Sequence, residues 1–166
     1  MKLSLNEVTA LAAKAARGAG APPAQAAEFG RAAARHLAAE RDAQDLAEAL
    51  SALPSGPTLH LPLMVMRLAE EVADGQARAR IPRPEMTDLL RSYFDAQPCA
   101  IVSEEVGDTF EITLNLGDPA APPPKTRLEV PEDLFTRISD LAARILVPES
   151  EASRRSGAGA GLTDND

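Results

Sequence analysis

Two alanine-rich stretches stand almost end to end near the start of the chain, and they limit what it can fold into more than any other feature. The first, "SLNEVTALAAKAARGAG", opens on Ser4 with Glu7 three residues on, the spacing of a capping box. Leu5, Val8, Leu11, Ala12 and Ala15 then recur at helical spacing, and Gly18 and Gly20 offer the positive-φ positions at which helices end. Pro22 and Pro23 follow, suited to the first turn of a second helix through "AQAAEFGRAAARHLAAER", where a missing N–H costs nothing. So short a connection predicts an antiparallel helical hairpin. Aromatic residues make up only 3% of the chain: Tyr93, Phe29, Phe94, Phe110 and Phe135, with no Trp. The core must therefore be built of Ala, Leu, Val and Ile.

Downstream, "AQDLAEALSAL" predicts a third, shorter helix stopped by "PSGP". The run "TLHLPLMVMRLAEEVADG" predicts a helix from about Pro62 with Gly75 as its stop, although residues 58–66 also suit a buried strand. In "RIPRPEMTDLLRSYFDAQ", Pro84 takes a first helical position, and Met86, Leu89, Leu90, Tyr93 and Phe94 share a face. The pattern then changes to β-branched alternation. "CAIVSEEVGDTFEITLNL" predicts a hairpin with Ile112 and Leu114 on one face and Glu111 and Thr113 on the other, and "KTRLEV" offers a third strand. Pro131 opens a last helix, "EDLFTRISDLAARIL", ended by Pro148. The fold class expected is α+β: a helix-rich single domain over residues 1–148, with an N-terminal helical hairpin, a small antiparallel β element and a C-terminal helix, followed by a Gly/Ala-rich tail over 149–166.

Charge narrows the function classes. A net charge of −8 and a pI near 4.8 disfavour nucleic acid, whose phosphates call for clustered Lys and Arg, and disfavour an anionic membrane surface. No apolar stretch approaches the roughly 20 residues that span a bilayer, and Asn6 and Glu7 stand where a signal peptide needs an apolar run. The lone Cys99 fits a reducing compartment and excludes a cysteine-rich zinc site, so the expected location is cytoplasmic.

The candidate site is the tail, "EASRRSGAGAGLTDND". Gly157, Gly159 and Gly161 allow close backbone approach to a ligand, and their N–H groups suit an anion, with Ser153, Arg154 and Arg155 beside them. Thr163, Asp164, Asn165 and Asp166 supply a polar, acidic end suited to contacts on a partner surface. The spacing matches neither a phosphate-binding P-loop nor a dinucleotide fingerprint, and no cofactor is implied. His36 and His60 lie outside any zinc pattern, so no metal site is expected. Cys99 reads as a buried inert thiol, Glu104 and Glu105 as solvated strand residues pointing to opposite faces, and Lys14 and Arg17 as an exposed stripe.

The opening "SLNEVTALAAKAARGAG" and the ending "VPESEASRRSGAGAGLTDND" resemble an uncharacterised family of small, mainly alphaproteobacterial proteins known only as a domain of unknown function. That family favours an aromatic pair after its first Gly-Ala-Gly, where this chain has Pro22 and Pro23. The resemblance implies a shared fold in a bacterial protein and names no reaction. Together the readings lead to an expected accessory subunit of a cytoplasmic enzyme complex, its tail docking on a second protein subunit, with self-association through the alanine-rich helices also expected. The alternative is a small enzyme that holds an anionic substrate through Arg154, Arg155 and the Gly-rich backbone, with His36 or Glu7 as acid or base.

Overall fold

Helix α1 (Leu5–Gly18) begins where the capping residues place it. In the computed structural model, which describes residues 1–123 and 127–145, Ser4 Oγ accepts the Glu7 N–H at 3.2 Å and Glu7 Oε2 accepts the Ser4 N–H at 2.7 Å. Two orphan donors of the first turn are thereby satisfied reciprocally. Helix α2 (Pro23–Ala38) starts on the expected proline and packs along α1. The approach is set by Gly30: a Cβ built there would stand 2.4 Å from the Thr9 carbonyl oxygen and 2.9 Å from Ala13 Cβ. Ala12, Ala15 and Ala16 of α1 and Ala26, Ala32, Ala33 and Ala34 of α2 are all buried, so the small faces are used within the chain. Leu11 is only partly buried.

Of the two glycines expected to end α1, only Gly20 has a positive φ, +102°. Gly18 is the last helical residue and serves packing instead: a Cβ there would lie 1.8 Å from the carbonyl oxygen of Leu141. Leu141 belongs to the last described helix, so α1 is held between that helix and α2.

Helix α3 (Ala43–Ser51) is capped by Asp42, whose Oδ1 accepts the Gln44 N–H at 2.9 Å. Helix α4 (Pro57–Glu70) settles the ambiguity of residues 58–66 in favour of helix, and it begins at Pro57 rather than near Pro62. Pro57 fits the first helical position, and Pro62, still near the N-terminal end, removes one backbone donor without breaking the helix. Gly75 does not terminate α4 directly. With Asp74 at φ 51° and Gly75 at φ 80°, the two residues form a tight turn in which Ala73 and Gln76 exchange backbone hydrogen bonds of 2.9 and 3.0 Å. Left-handed geometry at both central positions matches a hairpin turn, and Asp-Gly favours it.

The two-residue strand β1 (Lys2–Leu3) and the unexpected strand β2 (Gln76–Pro82) open the β structure, with helix α5 (Thr87–Asp95) following β2. Strands β3 (Cys99–Val106) and β4 (Thr109–Pro119) form the expected hairpin. The sheet order is β2-β4-β3, antiparallel throughout, with β4 central. Phe110, Ile112 and Leu114 are buried while Glu111 is exposed, as the alternation required. The described part of "KTRLEV", residues 127–130, does not join this sheet. Within it β5 (Leu128–Glu129) pairs with β1 in the register Lys2↔Glu129 and Leu3↔Leu128. The N-terminal ammonium extends that clasp by donating to the Val130 carbonyl at 2.7 Å. Helix α6 (Glu132–Ala143) then closes on α1, opened by Pro131 and carrying Glu132 and Asp133 in its first turn. These elements make one α+β arrangement around a continuous core. Among the described residues no helix is long and apolar enough to cross a membrane.

Candidate functional site

The tail residues singled out above, Ser153, Arg154, Arg155, Gly157, Gly159, Gly161, Thr163, Asp164, Asn165 and Asp166, lie outside the described residues, as does Pro148. The other sequence candidates are placed. The Glu7 carboxylate is engaged in the helix cap, and the bonds from Ser4 hold it below the ordinary carboxylate range. His60 is exposed on α4 and Cys99 is buried. Glu105 accepts from Arg91 at 3.0 Å and Arg83 at 3.3 Å, whereas Glu104 lies opposite Glu111 on the other face of the sheet. Among the described residues no group of three or more His, Cys, Asp and Glu side chains is placed to hold a metal.

His36 is fully buried and sits at the junction of three helices. Its Nε2 lies 2.7 Å from the Asp42 carbonyl, which can only accept, so Nε2 carries the proton. Nδ1 is 2.9 Å from Ser92 Oγ, whose one hydroxyl proton faces two acceptors, Nδ1 of the neutral ring and the Asp88 carbonyl at 2.7 Å. Arg41 donates to the same Ser92 oxygen at 2.8 Å and pairs with Asp95 at 2.7 Å. Burial pushes the His36 pKa down; the hydrogen bond to the Asp42 carbonyl and the charge of Asp45 oppose this, and Arg41 reinforces it. A serine beside an acceptor imidazole has the elements of an activated nucleophile. Ser92, however, is 0% exposed, with α2 and α5 closed over it, so no substrate carbon reaches its oxygen. The trio ties α2, the cap of α3 and α5 together.

A second constellation opens to solvent. Between α2 and α4 runs a groove of ≈ 290 Å³, walled by Pro62, Leu63, Val65, Met66 and Ala69 on one side and by Ala24, Gln25 and Glu28 on the other, with Gln97 at its end. Met66 is 51% exposed, although the neighbouring Val65 and Leu68 are buried. Glu28 is held by Arg31 through Oε1 alone. Its Oε2 has under 1 Å² of exposed surface and no hydrogen-bond partner among the described residues, and Tyr93 Oη shares both properties. Burial raises the Tyr93 pKa far above the phenolic value, and the nearby Glu28 carboxylate raises it further, so the phenol stays protonated. The Gln97 amide donates through Nε2 to the Tyr93 carbonyl at 3.1 Å, leaving Oε1 as an acceptor in the groove lining. A buried acceptor without a donor costs about 1–3 kcal/mol, so Glu28 Oε2 and Tyr93 Oη mark a place where the fold leaves hydrogen-bonding capacity unused.

Comparison with protein-family models, curated proteins and solved structures finds no match for this chain. The groove itself was not anticipated. The one signal that pointed to it was "LPLMVM", whose apolar residues exceed what a half-buried helix needs and leave Met66 facing outward. Nothing in the sequence marks the meeting of Glu28 with Tyr93, because they lie 65 positions apart on separate helices.

Proposed function

We propose that the protein is a partner-binding accessory subunit of a bacterial cytoplasmic enzyme complex and that the α2–α4 groove seats the partner, with the tail from Ser153 to Asp166 as a second point of attachment. The observation that carries this reading is the apolar groove lining centred on the exposed Met66, with Glu28 and Gln97 among its polar members. Methionine adapts its shape to varied apolar partners. Isolated polar groups beside an apolar surface fix orientation more than they add affinity. The proposal includes membership of the alphaproteobacterial family that shares the opening stretch and the Gly-Ala tail. Arg154 and Arg155 then anchor the tail through bidentate contacts to carboxylates on the partner.

The test is made on the full chain purified from its own cells. Wild-type protein is expected to elute in gel filtration with a stoichiometric second polypeptide, and Met66→Asp is expected to elute alone with its circular dichroism spectrum intact. Truncation after Ser156 is expected to weaken the complex while leaving the melting temperature unchanged. Retention of the partner by Met66→Asp removes the groove from the interface.

A further inference from the structure

We infer that the cavity between α2, α5 and the start of β3 binds a small organic carboxylate, its two oxygens held by the Arg35 guanidinium and its hydrocarbon body lying against Phe94, Cys99 and Ile101. This cavity shares no lining residue with the α2–α4 groove, so the inference stands or falls apart from the docking reading.

Small residues make the space. Ala38 and Ala39 at the end of α2, Ala100 in β3, and Ala120 and Ala121 just beyond β4 line a cavity of ≈ 350 Å³. Phe94 and Cys99 are its buried floor, and the exposed Ala39 and Ala121 place its mouth. Sites for small ligands share this size and this mainly apolar lining with a few polar groups.

Charge selects the head of the ligand. Arg35 and Asp95 are the charged residues of the lining. The Asp95 carboxylate is compensated by Arg41, whose guanidinium lies 2.7 Å away and is fixed in turn by Ser92 Oγ at 2.8 Å. Arg35 has no such partner. Its side chain makes no ion pair and no hydrogen bond among the described residues, although Arg31, one turn earlier on α2, is paired with Glu28. No nitrogen of Arg35 is closed off from solvent in the way that Glu28 Oε2 is. A half-buried, reachable guanidinium lining a cavity favours an anion there, and its planar fork matches the two oxygens of a carboxylate.

Carbon selects the body. Inorganic phosphate also fits a guanidinium fork, but it has no apolar surface to set against Phe94, Ile101 and the alanines. An alkyl or aryl acid removes carbon from water at that wall while its head meets Arg35. The net charge of −8 repels anions at long range. Screening limits that repulsion to about 8 Å from each charge at physiological ionic strength, so Arg35 decides at contact.

The test uses the full-length protein, with hexanoate as the probe and hexanol as its uncharged match. Cys99 reports occupancy, because it is the one cysteine of the chain and lines the cavity. Hexanoate is expected to slow alkylation of Cys99 by iodoacetamide saturably and to shift the Ile101 methyl signals in NMR. Half-saturation should come at a concentration roughly tenfold lower than for hexanol. Arg35→Gln should raise the hexanoate value to that of hexanol and leave hexanol unchanged. Arg35→Lys, which keeps the charge and loses the fork, should fall between. Equal affinity for hexanoate and hexanol overturns the proposal, as does an Arg35→Gln variant that binds hexanoate like wild type. Displacement of hexanoate by an equal concentration of phosphate also overturns it, because the site then takes an inorganic anion. So does the absence of both protection and methyl shifts. The comparison of hexanoate with hexanol is made on wild-type protein and decides the matter even where a variant fails to fold.

Discussion

The helical layer and the three-stranded sheet solve the shortage of aromatic residues in opposite ways. In the helical layer, α1 touches α2 and α6 through glycine and alanine, so backbones come close and little side-chain volume is needed. The sheet concentrates its few large residues instead, with Phe110, Ile112 and Leu114 buried in a row on the central strand. Its other face is left to Arg80, Glu111, Thr113 and Val102. The lesson concerns where each half is vulnerable. Close-packed small residues tolerate no added atoms, whereas a core built on one phenylalanine tolerates none removed.

The largest expected effect comes from removing volume in the sheet. Phe110 is fully buried, and Arg91 lies over its ring at 5.4 Å from the centroid. Phe110→Ala should cost about 3–5 kcal/mol in urea unfolding, the usual penalty for a buried phenylalanine. A loss under half of that would mean the sheet face collapses onto α5 and the contrast is weaker than drawn.

Adding volume to the helical layer comes next. Helix propensity alone favours alanine over glycine by about 1 kcal/mol in a helix interior, so Gly30→Ala would be expected to stabilise a free-standing α2. Here the new Cβ meets the Thr9 carbonyl oxygen, a backbone atom that cannot rotate away. We expect a net loss of about 1–3 kcal/mol. A gain in melting temperature would show that α1 and α2 can separate at little cost.

Within the helical layer, the His36 junction of α2, α3 and α5 should respond to pH. Burial lowers the His36 pKa from its ordinary 6.5, so below that value the unfolded chain binds a proton that the folded chain refuses. Stability from this site is therefore complete above about pH 6.5 and declines as pH falls, by at most about 1.4 kcal/mol per unit for one proton. Asp45 near it acts in the reverse sense: burial raises its pKa, so acidification relieves a cost there. Unfolding curves for wild type and His36→Gln should differ in slope between pH 6.5 and the lower folded value. Parallel curves would mean that the ring is protonated in the fold.

These contrasts explain what the sequence disclosed. The helical hairpin was legible because Ser4, Glu7, Pro23 and the alanine spacing are all local signals that agree. The β3–β4 hairpin was legible because Ile112 and Leu114 are large and alternate with polar residues. Strand β2 was missed for the opposite reason. Its inward residues are Ala77, Ala79 and Ile81 between Arg78 and Arg80, an alternation whose apolar members are too small to stand out. Gly18 was misjudged because a helix-ending glycine and a close-contact glycine look alike until the neighbour, Leu141, is known. The groove depends on long-range placement of Glu28, Met66 and Gln97, which no local pattern encodes.

The smallest expected effect tests whether the outer sheet face is as free as its composition implies. Val102 is 59% exposed on edge strand β3, opposite Thr113, while Glu104 on the same strand faces Glu111. Like charges directly opposite weaken a sheet, and Arg80, 3.5 Å from Glu111, relieves only part of that. Exposed ion pairs of this kind contribute little. The outer face thus holds the sheet together weakly, and its stability must come from the buried side. Threonine keeps the β-branch of valine and its fit to a strand, so Val102→Thr should change stability by less than about 0.5 kcal/mol. The substitution removes one exposed methyl and leaves every buried contact of β4 in place. A loss comparable to that of Gly30→Ala would place an apolar surface over Val102 in solution. Sedimentation of wild type and variant would then show whether that surface is a second copy of this chain, because only self-association makes the loss depend on protein concentration.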